Sequence, residues 1–180
     1  YTMDWSVCDQ NEVPVLSSHI LTLGLTYNRN DFTFNAEGYI KKSDGMIRYL
    51  NEGSTVSGYL GDGYTRGIDV FVKKEFTGQA LWISYTLSKT EEHFSYFSTK
   101  SMMPAMHDQR HEVKVAGLFT FKSLHLSVDY VVGSGFPDPT LLPEEAEYNN
   151  PYNRLDASLV FRFPTRKFHM DAGISVLNVL

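Results

Sequence analysis

Cysteine occurs once, at Cys8, in a chain of 180 residues. One thiol excludes an internal disulfide framework and any zinc site built from several cysteines. Basic blocks are missing as well: 16 Lys and Arg stand against 21 Asp and Glu, a formal net charge of −5. That balance argues against nucleic acid as the main partner. No run of about 18 apolar residues occurs, so no transmembrane helix is expected. Apolar residues are not scarce, however. At 42% hydrophobic, the chain carries too much apolar surface and too little net charge for disorder. It opens at Tyr1 without an initiator Met and stops at Leu180 inside an apolar stretch, so both ends read as cuts in a longer polypeptide.

What replaces helical periodicity is alternation with a period of two. A strand puts residues i, i+2 and i+4 on one face and the intervening residues on the other. From Asp31 to Lys41, Phe32, Phe34, Ala36, Gly38 and Ile40 oppose Thr33, Asn35, Glu37 and Tyr39. Leu81, Ile83, Tyr85 and Leu87 oppose Trp82, Ser84 and Thr86; Leu155, Ala157, Leu159 and Phe161 oppose Asp156, Ser158 and Arg162. Phe168, Met170, Ala172, Ile174 and Val176 oppose His169, Asp171 and Ser175. The runs His19–Asn28, Arg66–Lys74, Arg110–Phe121 and Leu124–Val132 follow the same rule less cleanly. About eight strands are predicted.

Tight turns are expected at Arg29–Asp31, Phe76–Gln79, Lys122–Ser123 and Pro164–Lys167, where hairpin residues cluster. Long polar connections are expected over Lys42–Tyr64, Lys89–Gln109 and Gly133–Asn153. Short and long connections alternate strictly. The predicted fold is therefore all-β: an antiparallel up-and-down meander of about eight long strands, part of a transmembrane β-barrel. Strands of about 9–12 residues suit a tilted bilayer crossing better than an ordinary soluble sheet. A polar face bearing Glu112, Lys114, Asp129, Asp156, Arg162 and Asp171 suits a wet lumen. A soluble β-sandwich or small barrel acting as a ligand-binding or adhesin module is the alternative, with that face simply in solvent.

Several short elements carry a resemblance. Gly63-Tyr64-Thr65-Arg66-Gly67-Ile68-Asp69-Val70 is followed by a tight turn and by Trp82-Ile83-Ser84-Tyr85-Thr86-Leu87-Ser88-Lys89. Pro104 precedes Asp108-Gln109-Arg110-His111, and Tyr152-Asn153-Arg154-Leu155-Asp156 opens a late strand. Gly173-Ile174-Ser175-Val176-Leu177-Asn178-Val179 stands at the end. In this order they resemble the late barrel of TonB-dependent outer-membrane receptors, most closely those of the Bacteroidetes type, over residues 16–180. The family's plug domain, TonB box and terminal aromatic strand have no counterpart. The resemblance implies that residues 1–180 are a fragment of the C-terminal barrel region, from a wall of about 22 strands. It implies uptake at the bacterial outer membrane of a scarce ligand such as a siderophore, cobalamin or oligosaccharide. The implied partners are outer-membrane lipid, the receptor's own plug domain, the TonB energy-transducing complex and the small-molecule ligand.

No enzymatic role is expected, and no catalytic residue, cofactor or resident metal is assigned. The rival for this point is an outer-membrane barrel hydrolase, but no G-x-S-x-G occurs. His93, Met102, Met103, Met106, His107 and His111 combine thioether and imidazole, which suits soft metals; a loop packed on its neighbours is the plainer reading. Asp108, Arg110 and His111 resemble a charged cluster at a barrel rim, and Arg66 is expected in the lumen or at the interface. Glu144, Glu145 and Glu147 read as a solvated loop face. The candidate ligand contacts are the loop residues Tyr49, Tyr59, His93, Met103, His107, Tyr148 and Tyr152. Other aromatics near strand ends, among them Tyr27, Tyr64, Tyr85 and Tyr130, suit an interfacial girdle.

Overall fold

The computed structural model describes residues 13–53, 55–138, 147–164 and 168–180. The chain is all-β. In order it forms β1 (Ser17–Arg29), β2 (Phe32–Glu52), β3 (Thr55–Phe76), β4 (Gln79–Phe94), β5 (Met103–Pro104), β6 (His111–Phe121), β7 (Leu124–Gly133), β8 (Tyr152–Phe163) and β9 (Met170–Val176). All eight alternating runs are strands; β5 is a two-residue addition that pairs with β4 at Glu91 and Glu92. Every pairing is antiparallel, and the spatial order β1-β2-β3-β4-β6-β7-β8-β9 follows the chain, a meander in a single sheet. The sheet is not closed: β1 and β9 are its two edges.

The tight turns lie together at one end. Asn30 and Asp31 both adopt positive φ (47° and 59°), the pair that a two-residue type I′ hairpin requires. Gly78 (φ 73°) and Lys122 (φ 55°) serve the next two turns. Backbone bonds tie neighbouring turns sideways: Glu75 N–H donates to Asp31 O, Thr120 N–H to Gly78 O and Arg162 N–H to Ser123 O. Most of the fourth predicted turn, residues 165–167, lies outside the described residues, as do Cys8, Glu144 and Glu145.

The opposite end corrects one expectation. Lys42–Tyr64 is not a long loop but the outer half of the β2–β3 hairpin, whose strands run 21 and 22 residues. Lys89–Phe94 likewise continues β4. These segments carry charged, glycine and aromatic residues with no apolar alternation, yet cross-strand hydrogen bonds extend the ladder through them. The register shifts once, between Asp44 and Met46, where Gly45 (φ 79°) forms a bulge. The extra residue exchanges odd and even positions. Below it Asp44 faces Asp62; above it Met46 faces Gly61 and Arg48 faces Tyr59. Arg48 therefore stands on the face of Thr65, Gly67 and Asp69 rather than on that of Ile68.

Register also aligns the faces of all the long strands. Leu25, Ala36, Val70, Tyr85, Val113, Val132 and their neighbours form one continuous apolar surface. Leu159 faces Leu126 on one side and Ile174 on the other, extending that surface to β9. It is uncovered: Leu23 is 82% exposed and Ile174 67%. Among the described residues the buried hydrophobic side chains are Phe94, Ala105 and Ala116, so no second layer makes a core. The other face is polar, with ion pairs between residues two apart, as strand geometry dictates: Lys114 with Glu112 (2.7 Å) and Arg154 with Asp156 (2.8 Å). Arg162 reaches across to Asp171 on β9 (3.2 Å), and the Thr86 hydroxyl donates to Asp69 (2.6 Å).

Candidate functional site

Two polar clusters stand at the long-loop end. The first is built on the outer hairpin. Gly61 and Gly63 on β3 leave the polar face bare, and Phe94 from β4 and Met46 from β2 close over them. Phe94 is buried, and the Arg48 guanidinium lies 4.2 Å above its ring. Arg48 Nη2 donates to Glu92 Oε2 at 2.6 Å and Nη1 to the Tyr96 hydroxyl at 3.0 Å. Glu92 is only 3% exposed, so this carboxylate depends on Arg48 for compensation. Tyr59 packs edge-on against Tyr96 (5.1 Å), and His107 Nδ1 lies 3.9 Å from Glu92 Oε1.

The second cluster pins the loops. Asp108, 1% exposed, accepts at Oδ1 from Thr90 N–H (2.7 Å). Its Oδ2 accepts from Arg110 Nε (2.8 Å) and from the Tyr148 hydroxyl (2.7 Å). Burial and the bond to Asp108 hold the Tyr148 phenol above its ordinary value, against the opposing pull of Arg110. For Arg110, burial pulls downward, but the bonds to Tyr148 and Asp108 outweigh it and the guanidinium is raised. Gln109 Nε2 donates to Ser134 O and the Ser88 hydroxyl donates to Gln109 O, both at 3.0 Å. His111 Nδ1 sits 2.8 Å from the Tyr85 hydroxyl. The charged motif at the predicted rim is thus a strut tying the β5–β6 connection to β4 and to the β7–β8 connection.

Of the seven sequence candidates, the first cluster gathers three: Tyr59, His107 and Met103, the last opposite Glu92 in the β4–β5 ladder. Tyr148 belongs to the strut. Tyr49 faces Gly58 on the other side of the hairpin, and His93 faces Asp62 there, packed on Phe97. Tyr152, exposed, opens β8 opposite Gly133 and stays apart from both clusters. Arg48 and Glu92 were not legible as site residues, whereas Phe94 and Tyr96 stand in the aromatic run His93–Phe97 beside the methionine–histidine stretch. Arg48 and Glu92 both lie where the strands carry no apolar alternation and so read as loop, and the face of Arg48 depends further on the bulge in β2. The methionine–histidine stretch does not converge: His107 lies by Glu92 and His111 by Tyr85. Among the described residues no group of three His, Cys, Asp or Glu is placed to hold a metal ion. The first cluster offers a guanidinium, a carboxylate, an imidazole and phenolic rings, the equipment for binding a polar ligand by hydrogen bonds and stacking. Arg66 projects from the apolar face near its loop end, opposite Ile40 and Lys89.

No family model, curated protein or solved structure matches the chain. Among the described residues no helix is long and apolar enough to cross a membrane, which says nothing of strands.

Proposed function

We propose that this sheet is a stretch of wall from an outer-membrane β-barrel of the TonB-dependent receptor kind. The observation that supports the reading is the uncovered apolar band. On β2 it runs from Phe32 to Ile40, about 27 Å of strand, or about 21 Å of bilayer at a tilt of about 40°. That is close to the apolar height of outer-membrane barrels, about 25 Å. Soluble monomers rarely expose a contiguous apolar patch beyond a few hundred Å². In this reading the apolar face meets lipid, the ion-paired face lines the lumen against a plug, and the tight turns face the periplasm. The β2–β3 hairpin and the Arg48–Glu92 cluster lie outside and contact the ligand. The molecule then binds and imports through a TonB-coupled partner and makes or breaks no bond.

Single cysteines in the full natural polypeptide test this, each carrying a fluorophore, with Cys8 replaced by serine. Labels placed by Ile68→Cys, Ile83→Cys and Val128→Cys are expected to be quenched by brominated acyl chains. Labels at Glu37→Cys, Asp69→Cys and Ser127→Cys are expected to be insensitive to them. Equal quenching at both sets, or quenching at neither, overturns the assignment in favour of a water-soluble module.

A further inference from the structure

The apolar face is not smooth. An open depression of about 570 Å³ lies over Gly38, within the roughly 300–1,000 Å³ of small-ligand sites. Its walls are Leu21, Leu23, Ile40, Ile68 and Leu87. The depression exists because Gly38 sits between Leu23 and Ile68 in the register and contributes no side chain. Room is ample there: a Cβ on Gly38 would meet only the Gly67 carbonyl, at 3.9 Å.

Its rim toward the loops is basic. Arg66 and Lys89 both line the depression and stand directly opposite each other in the β3–β4 ladder. Like charges so placed repel. Lys89 is paired with Glu91, two residues on, and Arg110 is engaged by Asp108 and Tyr148. Arg66 has no carboxylate partner among the described residues. Arg66, Lys89 and Glu91 together leave one net positive charge above an apolar trough.

We propose that this depression seats a lipid with a phosphorylated, anionic head group: one acyl chain lies over Gly38 and the phosphate is held by Arg66 and Lys89. The phosphate supplies the negative charge that the Arg66–Lys89 pairing lacks, and the chain fills the space left by the missing side chain. The inference rests on the apolar face being lipid-facing.

The test uses the full natural polypeptide in nonionic detergent, titrated with dioleoylphosphatidylglycerol or dioleoylphosphatidylcholine and read by native mass spectrometry. One net cation predicts a preference for phosphatidylglycerol of about fivefold. Arg66→Gln is expected to bring the two lipids level. Gly38→Leu is expected to fill the trough and lower retention of both lipids, with the circular dichroism spectrum unchanged. Equal binding of the two lipids by the parent, or a preference that survives Arg66→Gln, overturns the seat while leaving the lipid-facing band intact. A protein that is monomeric without detergent and takes up neither lipid overturns the band as well. Displacement of phosphatidylglycerol by inorganic phosphate alone, or a dimer that Gly38→Leu dissolves, also overturns the proposal by assigning the site to a free anion or a second copy.

Discussion

Asp108 carries three hydrogen bonds on two carboxylate oxygens, and each comes from a different part of the chain: Thr90 on β4, its near neighbour Arg110, and Tyr148 in the β7–β8 connection. A phenol is the only one of these donors that titrates in a reachable range. Because the folded state holds the Tyr148 proton more tightly than the ordinary value of 10.0, its contribution is complete below that pH and is lost as pH climbs through the raised value. Tyr148→Phe is therefore expected to cost about 1 kcal/mol at neutral pH. It should also flatten the loss of stability expected of the parent as pH rises above 10.0. Urea unfolding of both chains at several alkaline pH values measures this. A parallel alkaline decline in the two would show that the decline does not come from Tyr148.

At the scale of the element, the bulge at Gly45 absorbs one extra residue of β2 and so keeps Arg48 opposite Tyr59. Removing Gly45 leaves Met46 next to Asp44 and still opposite Gly61, so Arg48 stays over Phe94. Removing Ile47 instead slides Arg48 opposite Leu60 and turns it to the other face. A short crosslink between cysteines introduced by Arg48→Cys and Glu92→Cys is expected to form in the parent and in the Gly45 deletion. It is expected to fail in the Ile47 deletion. The same feature explains what the sequence revealed and what it hid. Alternation of Leu and Ile with Ser and Thr located every strand across the apolar band, because burial against lipid or a second layer would both write that pattern. Outside the band there is no apolar face to record, so Lys42–Glu52 and Thr55–Tyr64 read as loop although they are ladder. Arg48 was hidden twice, since it lies in that silent zone and beyond a change of parity that only the left-handed Gly45 reports.

For the molecule as a whole, stability without a core has to come from ladder bonds and from whatever meets the two faces. If lipid meets the apolar one, a charge there is costly and a charge on the reverse is not. Ile83→Arg is expected to destabilise the full natural chain in vesicles by about 2–4 kcal/mol, and Ser84→Arg by far less. Equal effects in urea titrations would remove the distinction between the faces. The two edges add a constraint of a different kind. About half of the 13 residues of β1 direct their N–H and C=O groups outward, in the plane of the sheet, and so do about half of the 7 of β9. If the sheet lies in a bilayer, lipid cannot satisfy those groups and water is excluded at that depth. Each edge is a one-dimensional template that accepts any strand of compatible direction, including another copy of itself. Expressed by itself, the chain is expected to associate edge to edge unless another strand pairs with β1 and with β9.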